Sequence, residues 1–487
     1  MTLSRRRLLG AAQAAALAVP PLAGCGGGGG APSPSPAPPP APAPPPASPP
    51  NFLIFVTDDQ RFDTLSCAGH PVVRTPVIDA LAARGTRFSQ AYVTTPICAA
   101  SRASLITGLN ERTHQFTFGS PPLATRWAQT SYPARLRAAG WRTALIGKFD
   151  VGLPEGQRAV LFDHFDEILQ NPAFKDLPDG RRVHETDLCA ERAIAWLESL
   201  PPGQRFSLDV HFNAPHAEYT DVQTLYPWPP STNGLYEDVA IPLPRLADPA
   251  VYEALPAFLK TSLNRDQFFW CCDDPAKYQR TMRSHFRMIS GIDAAVGRVL
   301  AALERLGRAQ DTVVVVMSDN GYYLGERGLA GKWSHFEESV RIPWIVADPR
   351  RPAALRGRVE TTTAALNVDL APTLLDLAGL PPTPGTQGRS LVPALDGRTD
   401  AGRAEDFLCE HLWPHPSIPR WEGVRSRRWV YARYLDVAPA FEFLHDLQSD
   451  PDQLVNLAGR PEHAAVLTER RARCDALIAE AVAARGA

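Results

Sequence analysis

Several things are scarce in this chain of 487 residues. Lys+Arg is 50 against Asp+Glu 52, so the formal net charge is only -2. No basic excess marks a nucleic-acid binder, and no polybasic tract marks a membrane-surface protein. Eight cysteines over this length exclude a disulfide-dense mini-scaffold. No apolar run within the body reaches spanning length, which excludes an internal transmembrane helix. What the chain has instead is length: at 44% hydrophobic residues it can build a large core, with room for one large domain and a smaller one. It also has 48 prolines, a quarter of them between residues 31 and 50.

The first 24 residues read as an export signal. Arg5, Arg6 and Arg7 precede an Ala/Leu-rich stretch running to about Ala23. Ser4-Arg5-Arg6-Arg7-Leu8-Leu9 resembles a twin-arginine signal. Leu22-Ala23-Gly24-Cys25 resembles a bacterial lipobox, in which the cysteine is acylated and becomes the mature N-terminus. An ordinary secretory signal with a chance cysteine is the plainer alternative. Residues 25–50 are Gly-rich, then Pro/Ala/Ser-rich, and read as a tether that cannot bury a core. Lipidation at Cys25 followed by a tether predicts a domain exported to the bacterial periplasm or cell envelope and held off a membrane by a lipid anchor.

The body, residues 51–400, alternates short apolar runs with helical patterns. Asn51–Val56, Thr143–Ile146, Phe206–Phe212 and Thr312–Met317 read as buried strands. Thr75–Arg84, Leu188–Leu200 and Ile289–Leu306 read as helices, the last with Ile292, Val296, Val299, Leu300 and Leu303 on one stripe. Buried strands alternating with helices predict an α/β fold with a mostly parallel sheet. Residues 401–487 change style. Trp429–Tyr434 and Glu442–Asp446 look like hairpin strands and a helix runs from about Glu462, so a small antiparallel-sheet-plus-helix subdomain is expected.

The polar residues that end these strands carry the functional reading. The four runs finish in Thr57-Asp58-Asp59, Gly147-Lys148-Phe149-Asp150, Asn213-Ala214-Pro215-His216 and Ser318-Asp319-Asn320-Gly321. Ligands in open α/β sheets bind at the carboxyl ends of strands, so parallel neighbours would bring these groups into one crevice. Asp58, Asp59, Asp319 and Asn320 make an all-oxygen set suited to Ca2+ or Mg2+. A lone Asp at such a place is more often a helix cap or a turn residue; two adjacent pairs at separate strand ends are harder to read that way. Cys98 precedes a helix expected from about Ala100. It is either a nucleophile with a depressed pKa or a buried structural cysteine.

Cys98-Ala99-Ala100-Ser101-Arg102, followed by Leu105-Ile106-Thr107-Gly108, resembles the signature of the type I sulfatases of the alkaline-phosphatase-like superfamily. The likeness continues through Asp58-Asp59-Gln60, Gly147-Lys148, Asn213–His216, Asp319-Asn320-Gly321, Leu324-Gly325-Glu326, Lys332, Glu337–Pro343, Gly388–Leu391 and the Asp450-Pro451-Asp452 turn, over roughly residues 51 to 460. Three residues depart from the pattern. Ala100 stands where proline is usual, and Arg327 where histidine is common. Asp150 stands where a second catalytic histidine is usual.

The resemblance implies a sulfuric ester hydrolase. Cys98 would be oxidised to formylglycine by a formylglycine-generating enzyme, and the hydrate would attack sulfur, later expelling sulfate. Asp58, Asp59, Asp319, Asn320 and residue 98 would hold Ca2+ or Mg2+. Lys148 and Lys332 would hold sulfate oxygens, Arg102 would hold the hydrate, His216 would protonate the leaving oxygen and Asp150 would serve as a base. The substrate would be a sulfated small molecule or glycan, with no nucleic-acid partner. Two alternatives remain open: a phosphodiester or phosphonate monoester hydrolase on the same scaffold, and a non-catalytic, lipid-anchored sulfoglycan-binding protein supported only by Asp150. The pairing of Cys67, Cys189, Cys271, Cys272, Cys409 and Cys474 is left open, except that the neighbours Cys271 and Cys272 are not expected to join.

Overall fold

A computed structural model describes residues 48–220, 223–398, 400 and 402–486. The expected signal segment, Cys25 and almost all of the tether lie outside the described residues. Residues 49–487 form one compact unit, and no helix among the described residues is long and apolar enough to cross a membrane.

The organising element is an eight-stranded sheet. Its strands are β1 (Asn51–Thr57), β2 (Thr86–Phe88), β3 (Arg142–Gly147), β4 (His164–Glu167), β5 (Phe206–His211), β6 (Thr312–Ser318), β7 (Trp344–Ala347) and β8 (Arg358–Glu360). The spatial order is β8-β2-β7-β6-β1-β5-β3-β4. β7 is antiparallel to both its neighbours and every other pairing is parallel. The apolar runs are continuous because both faces are covered. Phe52, Ile54 and Val56 point into one core and Leu53 and Phe55 into the other.

On the first face lies helix α1 (Cys98–Thr107), through Ala99, Ala103, Leu105 and Ile106. On the second lie α2 (Glu185–Ser199) and α3 (Pro275–Arg305). Of the stripe read from the sequence, Ile292, Val296, Val299 and Leu303 form the buried edge of α3, and Leu300 packs beside them partly buried. Full burial of each such side chain is worth roughly 1.5–3 kcal/mol. The helix is longer than its stripe: it begins at Pro275, capped by the Asp274 side chain, in a stretch too rich in Lys and Arg to show its period.

The C-terminal part is an antiparallel sheet of β9 (Asp406–His411), β10 (Trp421–Ser426), β11 (Trp429–Tyr434) and β12 (Phe441–Asp446), in that order. Helix α4 (Ala464–Ala483) packs Leu467 and Cys474 against Val424, Tyr431 and Leu444. One expectation is corrected: Cys271 and Cys272 are joined to each other. They end the helix Leu263–Cys271, and Cys272 has already left helical backbone angles (φ -135°, ψ -2°), which lets its sulfur turn onto its neighbour. Cys67, Cys98, Cys189, Cys409 and Cys474 are free thiols.

Candidate active site

Four adjacent parallel strands, β6, β1, β5 and β3, end side by side. Their C-terminal residues supply the site: Asp319 and Asn320, Asp58 and Asp59, Asn213 to His216, and Lys148. Cys98 is the first residue of α1, two positions earlier than expected, and is 3% exposed. Its Sγ lies 3.3 Å from Asp58 Oδ1 and 2.7 Å from Lys332 Nζ. The carboxylates of Asp58 and Asp59, Cys98 Sγ and a ring nitrogen of His216 all come within 4.8 Å of one another.

The charges interlock. Lys148 Nζ donates to Asp58 Oδ2, and Lys332 Nζ donates to Asp59 Oδ1 at 2.5 Å. Arg102, fully buried one turn along α1 from Cys98, donates from Nε to Asp319 Oδ2 (2.8 Å) and from a terminal nitrogen to the Lys148 carbonyl (2.9 Å). Burial pushes the Asp58 carboxyl up, but Lys148, His216, Lys332 and Arg102 outweigh it and hold it well below the usual carboxylate range. Asp319 goes the other way: burial and the charge of Asp58 push it up to about 7. Burial opposes the charge on Lys148 and on Lys332, yet the surrounding aspartates raise both pKa values. Burial, then Asp58, keeps the unmodified Cys98 thiol well above its ordinary value.

The donor set fits a hard divalent cation. Asp59 Oδ2 and Asn320 Oδ1 are buried oxygens with no hydrogen-bond partner, and such atoms are costly unless something binds them. They belong to the Asp58, Asp59, Asp319 and Asn320 group read from the sequence, which offers only oxygen ligands at its four side chains.

His216 presents Nε2 3.5 Å from Asp59 Oδ2. Its Nδ1 sits 2.8 Å from the Ala217 carbonyl and 2.5 Å from the Gln170 amide nitrogen, contacts that fix the ring with Nε2 facing the site. Burial lowers the His216 pKa despite Asp59 and Asp58. Asp150 takes a left-handed backbone (φ 57°) and turns its half-exposed carboxylate onto Lys148 Nζ at 2.9 Å. Lys148 thus bridges Asp58 and Asp150. Arg327 lies against Phe336 and donates to the Asp452 carbonyl.

Two contributors were not singled out from the sequence. His211, inside β5, lies 3.0 Å from an Arg102 terminal nitrogen. Its only sequence signal is an imidazole in an otherwise buried strand. Gln170, which holds His216, follows β4 and carries no local signal.

The comparisons agree with the geometry. The Sulfatase family matches residues 50–380, and a family described as N-sulphoglucosamine sulphohydrolase, C-terminal, matches residues 325–480. An N-acetylglucosamine-6-O-sulfatase of Bacteroides thetaiotaomicron is 28% identical over 85% of this chain and 84% of its own. A choline-sulfatase of Rhizobium meliloti is 30% identical over 85% and 83%. Among solved structures, a protein in complex with its substrate D-glucosamine-2-N,6-O-disulfate superposes with a TM-score of 0.76 at 24% identity, covering 89% of this chain and 98% of its own. A phosphonate monoester hydrolase of Agrobacterium radiobacter gives 0.72 at 21%, covering 89% and 96%. With two thirds of its length matched by the family and its strand-end residues gathered on one cysteine, the chain belongs to the sulfatases, which hydrolyse sulfuric esters.

Proposed function

We propose that this sulfatase cleaves sulfate monoesters of saccharides, with residue 98 as formylglycine and one Ca2+ or Mg2+ at Asp58, Asp59, Asp319 and Asn320. The observation that carries the reading is the position of Cys98: a buried helix-start residue between Asp58 and Lys332, within 4.8 Å of the Asp59 carboxylate and a His216 ring nitrogen. The sulfated-saccharide class is supported by the N-acetylglucosamine-6-O-sulfatase relative.

The formylglycine hydrate would supply the nucleophile and the cation would neutralise charge on the sulfate. The chain's own residues do the rest. Lys148 and Lys332 are point charges that can hold sulfate oxygens once a substrate enters. Arg102 fixes Asp319 and the Lys148 carbonyl, and so the wall behind residue 98. His216 Nε2 gives a proton to the leaving oxygen. Burial lowers its pKa, and the negative charge of a bound ester works in the opposite direction. Asp150 Oδ, tied to the site through Lys148, takes a proton from residue 98 as sulfate leaves. We further propose export by the N-terminal signal, acylation at Cys25 and oxidation of Cys98 by a formylglycine-generating enzyme before folding.

The test is sulfate release from 6-O-sulfated N-acetylglucosamine, alongside an aryl sulfate and an aryl phosphonate, with mass spectrometry of the peptide holding residue 98. Sulfate release with an aldehyde at 98 is expected. Activity with Cys98 wholly a thiol would refute the nucleophile. A second reading, phosphonate or phosphodiester hydrolysis, is favoured by the phosphonate monoester hydrolase neighbours. These esters share the single negative charge of a sulfate monoester, and a higher kcat/KM on the phosphonate would select it.

A further inference from the structure

Beside residue 98 the structure holds aromatic side chains that the chemistry above does not use. Ile97 and Ala100, on either side of Cys98, pack with Trp333 and Ile418 in a small apolar cluster, and Trp413 lies against that cluster. Trp333 follows Lys332 directly, in a left-handed backbone (φ 80°), and its carbonyl accepts a hydrogen bond from Trp421 Nε1 at 2.6 Å. Trp413 continues outward. Its ring centroid is 4.9 Å from that of Phe118, with planes 48° apart, and 4.8 Å from that of His415, 31° apart. Phe118 is 46% exposed, and Trp413 and His415 are partly exposed.

Both segments are anchored. The loop carrying Trp413 is tied to the helix Leu263–Cys271 by the Leu263 amide, which donates to the Ser417 carbonyl at 2.8 Å. The loop carrying Phe118 is tied to the stretch just after Asp150 by the Leu123 amide, which donates to the Gly152 carbonyl at 2.8 Å. The apolar cluster of Ile97, Ala100 and Trp333 thus continues through Trp413 to Phe118 and His415, joining a loop of the C-terminal part to the segment that follows Lys148 and Asp150.

We propose that Trp413, with Phe118 and His415, is the surface on which the sugar ring of the substrate stacks, and that it selects saccharide esters. The inference rests on the sulfated-saccharide reading above. Phe118 and His415 pack against the partly exposed Trp413 at tilts of 48° and 31°, which gathers accessible aromatic surface at one place. That suits the flat apolar face of a pyranose, with its hydroxyls left to solvent. An ammonium group is better served by rings on several sides, and His415 would repel it when protonated. The rings come from loops, apart from the strand ends that do the chemistry.

The experiment measures KM and kcat on 6-O-sulfated N-acetylglucosamine, with inorganic sulfate as a competitive inhibitor, for wild type, Trp413→Ala, Trp413→Phe and Phe118→Ala. Inorganic sulfate reads the integrity of the sulfate pocket without touching the rings. Trp413→Ala should raise KM about tenfold and Phe118→Ala about threefold, with Trp413→Phe recovering most of the loss. The inhibition constant for sulfate should stay within about twofold. Unchanged KM values, or a sulfate constant that rises in step with KM, would overturn the proposal; the exposed Phe118 keeps the test valid should Trp413→Ala not fold. If wild type cleaves an aryl sulfate but no sulfated saccharide, the substrate reading fails by itself. Calorimetric titration with free N-acetylglucosamine then decides the stacking surface: binding weakened by Trp413→Ala retains it, and no binding to wild type removes it.

Discussion

At the scale of single residues, Asp150 is the most informative to change. Its backbone sits at φ 57°, a region that asparagine tolerates, so Asp150→Asn replaces the charge without straining the chain. If the carboxylate is the base proposed here, the variant should release a stoichiometric burst of alcohol and then stall, a pattern that rapid-quench kinetics would show. Steady turnover near the wild-type rate would leave Asp150 only as the counter-ion of Lys148. Asp209 gives a second residue-scale prediction. Burial lifts its carboxyl to about 7, against an ordinary 3.8, although the Tyr132 hydroxyl donates to it at 2.7 Å. An acid whose folded value lies above its unfolded one binds its proton more tightly when folded. Its contribution is therefore neutral below about pH 4 and increasingly destabilising from there to about pH 7. Urea titrations should show wild type losing stability over that window by on the order of 3–4 kcal/mol more than Asp209→Asn does.

At the scale of elements, the turn after β3 sets where Lys148 points. Gly147 has φ 107°, and a Cβ there would lie 1.9 Å from the His211 carbonyl oxygen. Gly147→Ala should therefore cost about 2–3 kcal/mol or more, read by denaturant melts, and move Lys148 off Asp58 with a loss of activity. The elements were largely legible because a strand buried on both faces has to be apolar throughout: β1, β5 and β6 differ from the sequence reading by one residue at an end. The polar residues that interrupt those runs were legible for the same reason. β2, β7 and β8 were not, being three or four residues long and held by neighbours remote in sequence. Nor was the contact of Arg102 with His211, which joins residues 109 positions apart. The left-handed turn at Asp150 was not legible either, since nothing in Gly-Lys-Phe-Asp encodes it locally.

At the scale of the whole molecule, the site is a junction of distant segments. Asp58, Cys98, Lys148, His216, Asp319 and Lys332 meet only when the sheet has closed from β3 to β6. A cation at that junction should tie the segments together. Elemental analysis should find about one equivalent of Ca2+ or Mg2+. Chelation should lower activity on the order of a hundredfold and lower Tm as well. The burial of Cys98 has a consequence in time. The residue is 3% exposed in the closed fold, at the start of α1, with its sulfur against Asp58 and against Lys332 from far along the chain. Any enzyme that oxidises it must arrive before that later segment does. Closure over such sequence distances is slow, and that slowness is the interval in which the cysteine can be reached. If Cys98 is oxidised as proposed, maturation is a race between oxidation and folding. Chains that fold first should carry residue 98 as a thiol that alkylating reagents label in urea but scarcely at all in the native protein. Slowing synthesis or folding should raise the converted fraction, and faster folding should fill the cell with well-folded, inactive protein.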